Sequence, residues 1–206
     1  FSAGGDIKAM RDRTGNFAGS PADIADGYRN NIHRMLRALN NLRVPLIAAI
    51  NGPAIGLGGD LACLADMRLA STSAKFGVTF LKLGLVPGDG GTWLLPRVIG
   101  DARAAELFFT GEVIDAATMR DWGLVSRVVE PDALMDEALA LAQKVAGMPP
   151  AALRNTKMLL RQRRGLDYDG ALELAANTQG LMHHTADHEE GVAALIEKRA
   201  PDFSGR

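Results

Sequence analysis

Apolar residues recur at helical spacing along the first third of the chain. Ile24, Tyr28, Ile32, Met35, Leu39 and Leu42 are spaced by fours and threes, which predicts one face of a long helix. Ser20-Pro21-Ala-Asp23 supplies its start: a capping hydroxyl, a proline at the first helical position and an acid in the first turn. Pro45 is expected to end it. The pattern then changes. Leu46-Ile-Ala-Ala-Ile50 is apolar without alternation, as in a strand covered on both faces. Residues 51–59, NGPAIGLGG, read as a glycine-rich bend, and residues 60–65 as the first turns of a helix. Further strands are predicted over 67–70, at Phe76-Gly-Val78 and over 124–129.

Helical periodicity dominates the remainder, over 101–109, 115–122, 131–146, 151–164, 168–183 and 187–199. Met148-Pro-Pro150 interrupts the series. Strands alternating with helices to residue 148, followed by helices alone over 149–206, predict an α/β core with a C-terminal helical region.

Composition narrows the class. The 206 residues are 47% hydrophobic and 23% charged, with a net charge of −1. These values fit a globular domain and give no electrostatic reason to expect nucleic acid or an anionic membrane as partner. The single Cys63 rules out an internal disulfide framework and favours a cytoplasmic location. The most apolar stretch, 44–65, is broken by Asn51, Pro53, glycines and Asp60, so no transmembrane span is expected. The opening FSAGGD has no initiating Met and reads as protein interior, so a preceding portion is expected.

Two glycine-rich turns, at 1–6 and 56–59, each lead into a predicted helix start. Unpaired N–H groups there, aided by the helix dipole, can hold negative charge, and two such turns converging on one oxygen would form an oxyanion hole. Neither turn matches a dinucleotide or P-loop phosphate motif. The four histidines, His33, His183, His184 and His188, show no metal-ligand spacing with Cys63 or with the carboxylates. His183 and His184 are read as surface or interface residues, Trp93 and Trp122 as core packing, and Asp66 as a structural carboxylate at a helix end.

Five segments occur in a fixed order: FSAGGDIKAM, PLIAAINGPAIGLGGDLACLAD, FGVTFLKLGLVPGDGGTWLLPRVIG, TGEVIDAATMRDWGLVSRVV and EGVAALIEKRAPDFSG. Together they resemble the crotonase superfamily, the enoyl-CoA hydratase/isomerase family, and come nearest to its phenylacetate-pathway members. The resemblance implies a spiral of ββα units with a C-terminal helical trimerisation region. It further implies an acyl-CoA substrate, with coenzyme A arriving as part of that substrate, no prosthetic group, and a homotrimer or dimer of trimers. By position, the oxyanion-hole N–H groups fall at Ala3 and Leu57. The CoA contacts fall at Ala3, Gly4, Gly5, Asp6, Ile7 and the C-terminal Lys198.

The family's hydratases use two glutamates, and here their positions hold Asp60 and Phe80. Asp60 keeps a carboxylate but retracts it by about 1.5 Å, and Phe80 cannot transfer a proton. Isomerases of the family place an Asp in the loop that here reads GLVPGDGGT. In this chain Gly88 intervenes between Pro87 and Asp89, displacing the acid by one residue. Asp60 and Asp89 are therefore both candidate catalytic carboxylates, with Phe80 a wall of the acyl pocket. Double-bond isomerisation through an enolate is favoured, because one carboxylate suffices for a 1,3-proton shift. Hydration by Asp60, with a water held at Asp89, is the alternative. A non-catalytic acyl-CoA binder, in which Phe80 marks lost chemistry, is the reading from another class.

Overall fold

A computed structural model describes all residues, 1–206. It divides into two compact units. The first comprises Phe1–Leu42 and Leu46–Ala138, the second Arg43–Pro45 and Leu139–Arg206. The division falls inside a helix rather than at the Met148–Pro150 punctuation.

In the first unit, the opening residues lead into α1 (Ile7–Asp12), whose N-cap is Asp6: its carboxylate accepts from the N–H groups of Lys8 and Ala9. The expected long helix is present but compound. It runs as α2 (Pro21–Gly27), a π-helical turn over Tyr28–Ile32, and α3 (His33–Asn40). Its start is a full capping box between Ser20 and Asp23. The helix stops at Asn40, well before Pro45.

Two three-stranded sheets follow. One has β1 (Ile47–Ile50), β3 (Met67–Ser71) and β6 (Arg127–Val129) side by side, all parallel. The other has β2 (Pro53–Ile55), β4 (Lys75–Gly77) and β5 (Val113–Asp115), with β2 and β4 parallel and β4 and β5 antiparallel. From β1 to β4 the strands alternate between the two sheets, and β4 and β5 then share one. The glycine-rich segment after β1 contains a strand, β2, which the sequence pattern reads as part of a bend. Three residues are too few to show a period, and β2 takes its extended form from pairing with β4 and, at Ala54, with Ser2.

The helix α4 (Leu57–Leu64) begins three residues earlier than the sequence suggests. Beyond β4 lie α5 (Gly91–Leu94), α6 (Pro96–Ile99), α7 (Asp101–Thr110) and α8 (Ala116–Asp121). Ile50, Ala54, Leu69, Phe76, Val78, Leu95, Leu107 and Met119 are fully buried and mark the core of this unit. Trp122 packs against that core, with Arg103 over its ring. Trp93 does not pack there: it is 44% exposed, because α5 starts at a left-handed Gly90 and turns the indole outward, where the Arg97 guanidinium lies 4.1 Å above it. Asp66 accepts from the Leu46 N–H and ties the start of β1 to the end of α4, as expected of a structural carboxylate.

The helix α9 (Leu134–Ala146) leads into the second unit, which is built from α10 (Pro150–Gln162), α11 (Tyr168–Met182) and α12 (Ala186–Glu197). Its buried polar groups are all engaged. Lys157 donates to the Val44 carbonyl at 2.7 Å, Thr178 to the Leu174 carbonyl at 2.7 Å, and Asp187 accepts from the Ser204 and Gly205 N–H groups. No helix is long and apolar enough to cross a membrane.

Candidate active site

The two glycine-rich turns of the first unit meet. Ser2 N–H donates to the Pro53 carbonyl at 2.8 Å, and the Ser2 carbonyl accepts from Ile55 N–H at 2.9 Å. This pairing lays the opening residues alongside the approach to α4. Gly58 permits the contact: a Cβ there would collide with the Ser2 carbonyl. The N–H of Ala3, the next residue, has no acceptor in the chain. Leu57 is the first residue of α4, so its N–H has no carbonyl within the helix to meet.

Ala3 and Leu57 both line one small cavity of about 70 Å³, together with Gly4, Gly5 and Ile7. Phe80 and Asp89 contribute to the same cavity. The Phe80 ring stands over Gly56, which makes it an apolar wall beside the two N–H groups. A larger groove of about 570 Å³ shares Ile7, Met10, Phe17, Tyr28, Leu83 and Leu85 with the cavity, and adds Arg11 and Arg13. An extended apolar chain can therefore lie in the groove with its end in the cavity.

The two carboxylates are placed differently. Asp89 follows the irregular strand of chain after Gly84, is 5% exposed, and lines the cavity with a buried Oδ1 that has no hydrogen-bond partner. Burial raises its pKa, and the positive charge of His33 partly offsets that rise. Asp60, on α4, is 0% exposed and does not line the cavity. Its carboxylate is pressed against Gly91, where any Cβ would overlap it, and neither oxygen makes a well-formed hydrogen bond. Burial, reinforced by the negative charge of Asp89, pushes Asp60 up to about 8, with only the Gly91 N–H acting the other way. Around neutral pH the pair therefore holds a proton on Asp60, the more deeply buried acid.

The remaining expected contacts are dispersed. Asp6 is occupied as the cap of α1, and its carboxylate is not part of the cavity wall. Lys198 lies in the second unit, in the left-handed conformation at the C-cap of α12. His183 and His188 pair with each other there, 3.0 Å apart. Tyr28 and His33 enter the site without having been singled out for it. Tyr28 is periodic with the apolar face of its helix, a pattern that does not show its ring meeting Gly88.

The whole chain, residues 1–206, matches the enoyl-CoA hydratase/isomerase family. It is 38% identical over 206 residues to the 1,2-epoxyphenylacetyl-CoA isomerase of Escherichia coli, spanning 100% of this chain and 78% of that one. It is 36% identical to the 2,3-dehydroadipyl-CoA hydratase of the same organism, over 100% and 77% respectively. The crystal structure of the enoyl-CoA hydratase from Bacillus anthracis superposes with a TM-score of 0.91 at 34% identity, covering 99% of this chain and 76% of that chain. The chain therefore has the crotonase fold and belongs to the enoyl-CoA hydratase/isomerase family.

Proposed function

We propose that this protein isomerises the double bond of an enoyl-CoA, with Asp89 as the one proton-carrying group. The observation that carries the reading is that Asp89 alone among the candidate carboxylates lines the cavity shared by the Ala3 and Leu57 N–H groups. In a 3-enoyl-CoA, the Asp89 carboxylate removes a proton from C2. The electron pair moves into the thioester, and the two N–H groups stabilise the resulting dienolate oxygen. The proton now on Asp89 returns to C4, the C2–C3 double bond forms, and the carboxylate is regenerated. Burial favours this by making Asp89 a stronger base than an exposed aspartate.

Phe80 supports isomerisation over hydration, since it fills with an apolar ring the place where a second proton-transfer group would hold water. Asp60 is assigned as a neutral neighbour of Asp89 rather than a base, because a base must reach the substrate carbon. Coenzyme A is part of the substrate, with the backbone from Ala3 to Ile7 as its contact in the first unit. The helices of the second unit are the trimerisation surface in this reading.

The relatives' names include both an isomerase and a hydratase, so the substrate comparison is decisive. The wild type, Asp60→Asn and Asp89→Asn enzymes are incubated with a 3-enoyl-CoA and a 2-enoyl-CoA. The proposal expects conversion of the 3-enoyl-CoA by the wild type, retained in Asp60→Asn and lost in Asp89→Asn. Rapid accumulation of a 3-hydroxyacyl-CoA from the 2-enoyl-CoA would instead identify a hydratase.

A further inference from the structure

We propose that His33 is the positioning residue for Asp89: it holds the loop by a hydrogen bond to the Gly88 carbonyl, and the π turn before it makes that reach possible. The proposal rests on the reading of Asp89 as the base.

His33 Nε2 lies 2.8 Å from the Gly88 carbonyl oxygen, fifty-five residues away in sequence. A carbonyl can only accept, so Nε2 carries the proton in this bond. The bond fixes the peptide unit directly before Asp89, and so bears on where its carboxylate points. This anchored residue is also the extra one, Gly88, that separates Pro87 from the acid. Its α-carbon is held from a second side: a Cβ at position 88 would sit 3.2 Å from Tyr28 Cε1.

Tyr28 and His33 are five residues apart. In an α-helix such residues point about 140° apart around the axis. Here the π turn over Tyr28–Ile32 intervenes, and the His33 N–H donates to the Tyr28 carbonyl across the wider ring. The two side chains are thereby brought onto one face, with ring centroids 6.0 Å apart. Both then meet the same loop residue. An unbroken α-helix through 21–40 would turn one of them away, which gives the π turn a function. The loop on the other side is irregular from residue 85 to 88, so few backbone bonds of its own fix it.

The titratable groups acting on Asp89 come from two elements. Asp60 approaches from α4, while Tyr28 and His33 come from the helical segment. Of these, His33 supplies the positive charge. Removing it raises the pH at which Asp89 ionises.

The test measures kcat, KM and the pH profile of kcat/KM for 3-enoyl-CoA isomerisation in the wild type, His33→Ala, His33→Gln and Asp89→Asn. Glutamine keeps an N–H near the Nε2 position but carries no charge. His33→Ala is expected to lower kcat about 10- to 100-fold, as for a misplaced catalytic group, with KM changed less than about threefold. His33→Gln is expected to recover most of kcat. In both, the acid limb of the profile moves to higher pH. If Asp89→Asn is inactive while His33→Ala matches the wild type in kcat and pH profile, the positioning role is overturned and the base assignment stands. If His33→Gln is folded by its thermal transition and no better than His33→Ala, the hydrogen-bond assignment is overturned. Should His33→Ala fail to fold, His33→Phe, which keeps a ring but no N–H, takes its place: a wild-type kcat there overturns the proposal. Full activity in Asp89→Asn overturns both readings together.

Discussion

The two units differ in how their buried carboxylates are partnered. In the second, the ammonium of Lys157, the hydroxyl of Thr178 and the carboxylate of Asp187 each meet a backbone partner within about 3 Å. In the first, Asp60 and the Oδ1 of Asp89 are buried with no such partner. An unmatched buried carboxylate costs free energy on the order of several kcal/mol if ionised, so it persists where something other than stability retains it. The matched groups are structural cement. Of the unmatched ones, Asp89 lines a cavity furnished with two free N–H groups and Asp60 lies behind it.

That contrast can be broken or sharpened by substitution. The largest effect is expected at Asp89. Asp89→Asn should reduce isomerisation about 10²- to 10⁴-fold, the range for loss of a general base, while circular dichroism and oligomeric state are unchanged. Gly58→Ala should come next. It forces the Ser2 carbonyl away from α4 and so separates the Ala3 and Leu57 N–H groups, for a loss of about 10²- to 10³-fold in kcat.

Asp60→Asn should act on stability more than on turnover. The Asp60 pKa rises from its ordinary value near 4 to about 8 on folding, so the folded state binds a proton that the unfolded state releases between those limits. Unfolding free energy then falls as pH rises through this window, by on the order of 1 kcal/mol per pH unit. The amide cannot ionise, so Asp60→Asn should flatten that slope and unfold at higher urea concentration than the wild type at pH 8. A wild type whose stability is flat from pH 5 to 8 would contradict the buried, neutral state of Asp60.

In the second unit the smallest effect is expected. Asp187→Ala strands the Ser204 and Gly205 N–H groups and should destabilise by roughly 1–3 kcal/mol. Urea titrations at several pH values compare the two aspartates directly.

Much of this arrangement is legible in the chain itself. The Ser20–Asp23 cap, the apolar run of β1 and the helical periods of α9 to α12 are local patterns, and local patterns survive folding. Residues of both glycine turns line one cavity, and free N–H groups at helix starts are a backbone property that the sequence pattern exposes. Phe80 lines the same cavity. What escaped the sequence depends on distant contacts. β2 and β5 are three-residue strands fixed by their partners. The π turn is invisible in a pattern of fours and threes that fits an ordinary helix equally well. Asp60 and Asp89 looked equivalent as acids beside glycines. Only the packing of Gly91 onto Asp60, and the opening of Asp89 into the cavity, separates a buried neighbour from a group that can touch substrate.

The central claim is that one carboxylate, in a cavity walled by Phe80, carries a proton from C2 to C4. A 3-enoyl-CoA deuterated at C2 tests it most directly in ordinary water. The account predicts a 2-enoyl-CoA product with a measurable fraction of the deuterium at C4, because the same Asp89 that accepts the label delivers it. Complete loss of the label to solvent, or a product carrying a new hydroxyl at C3, would contradict it.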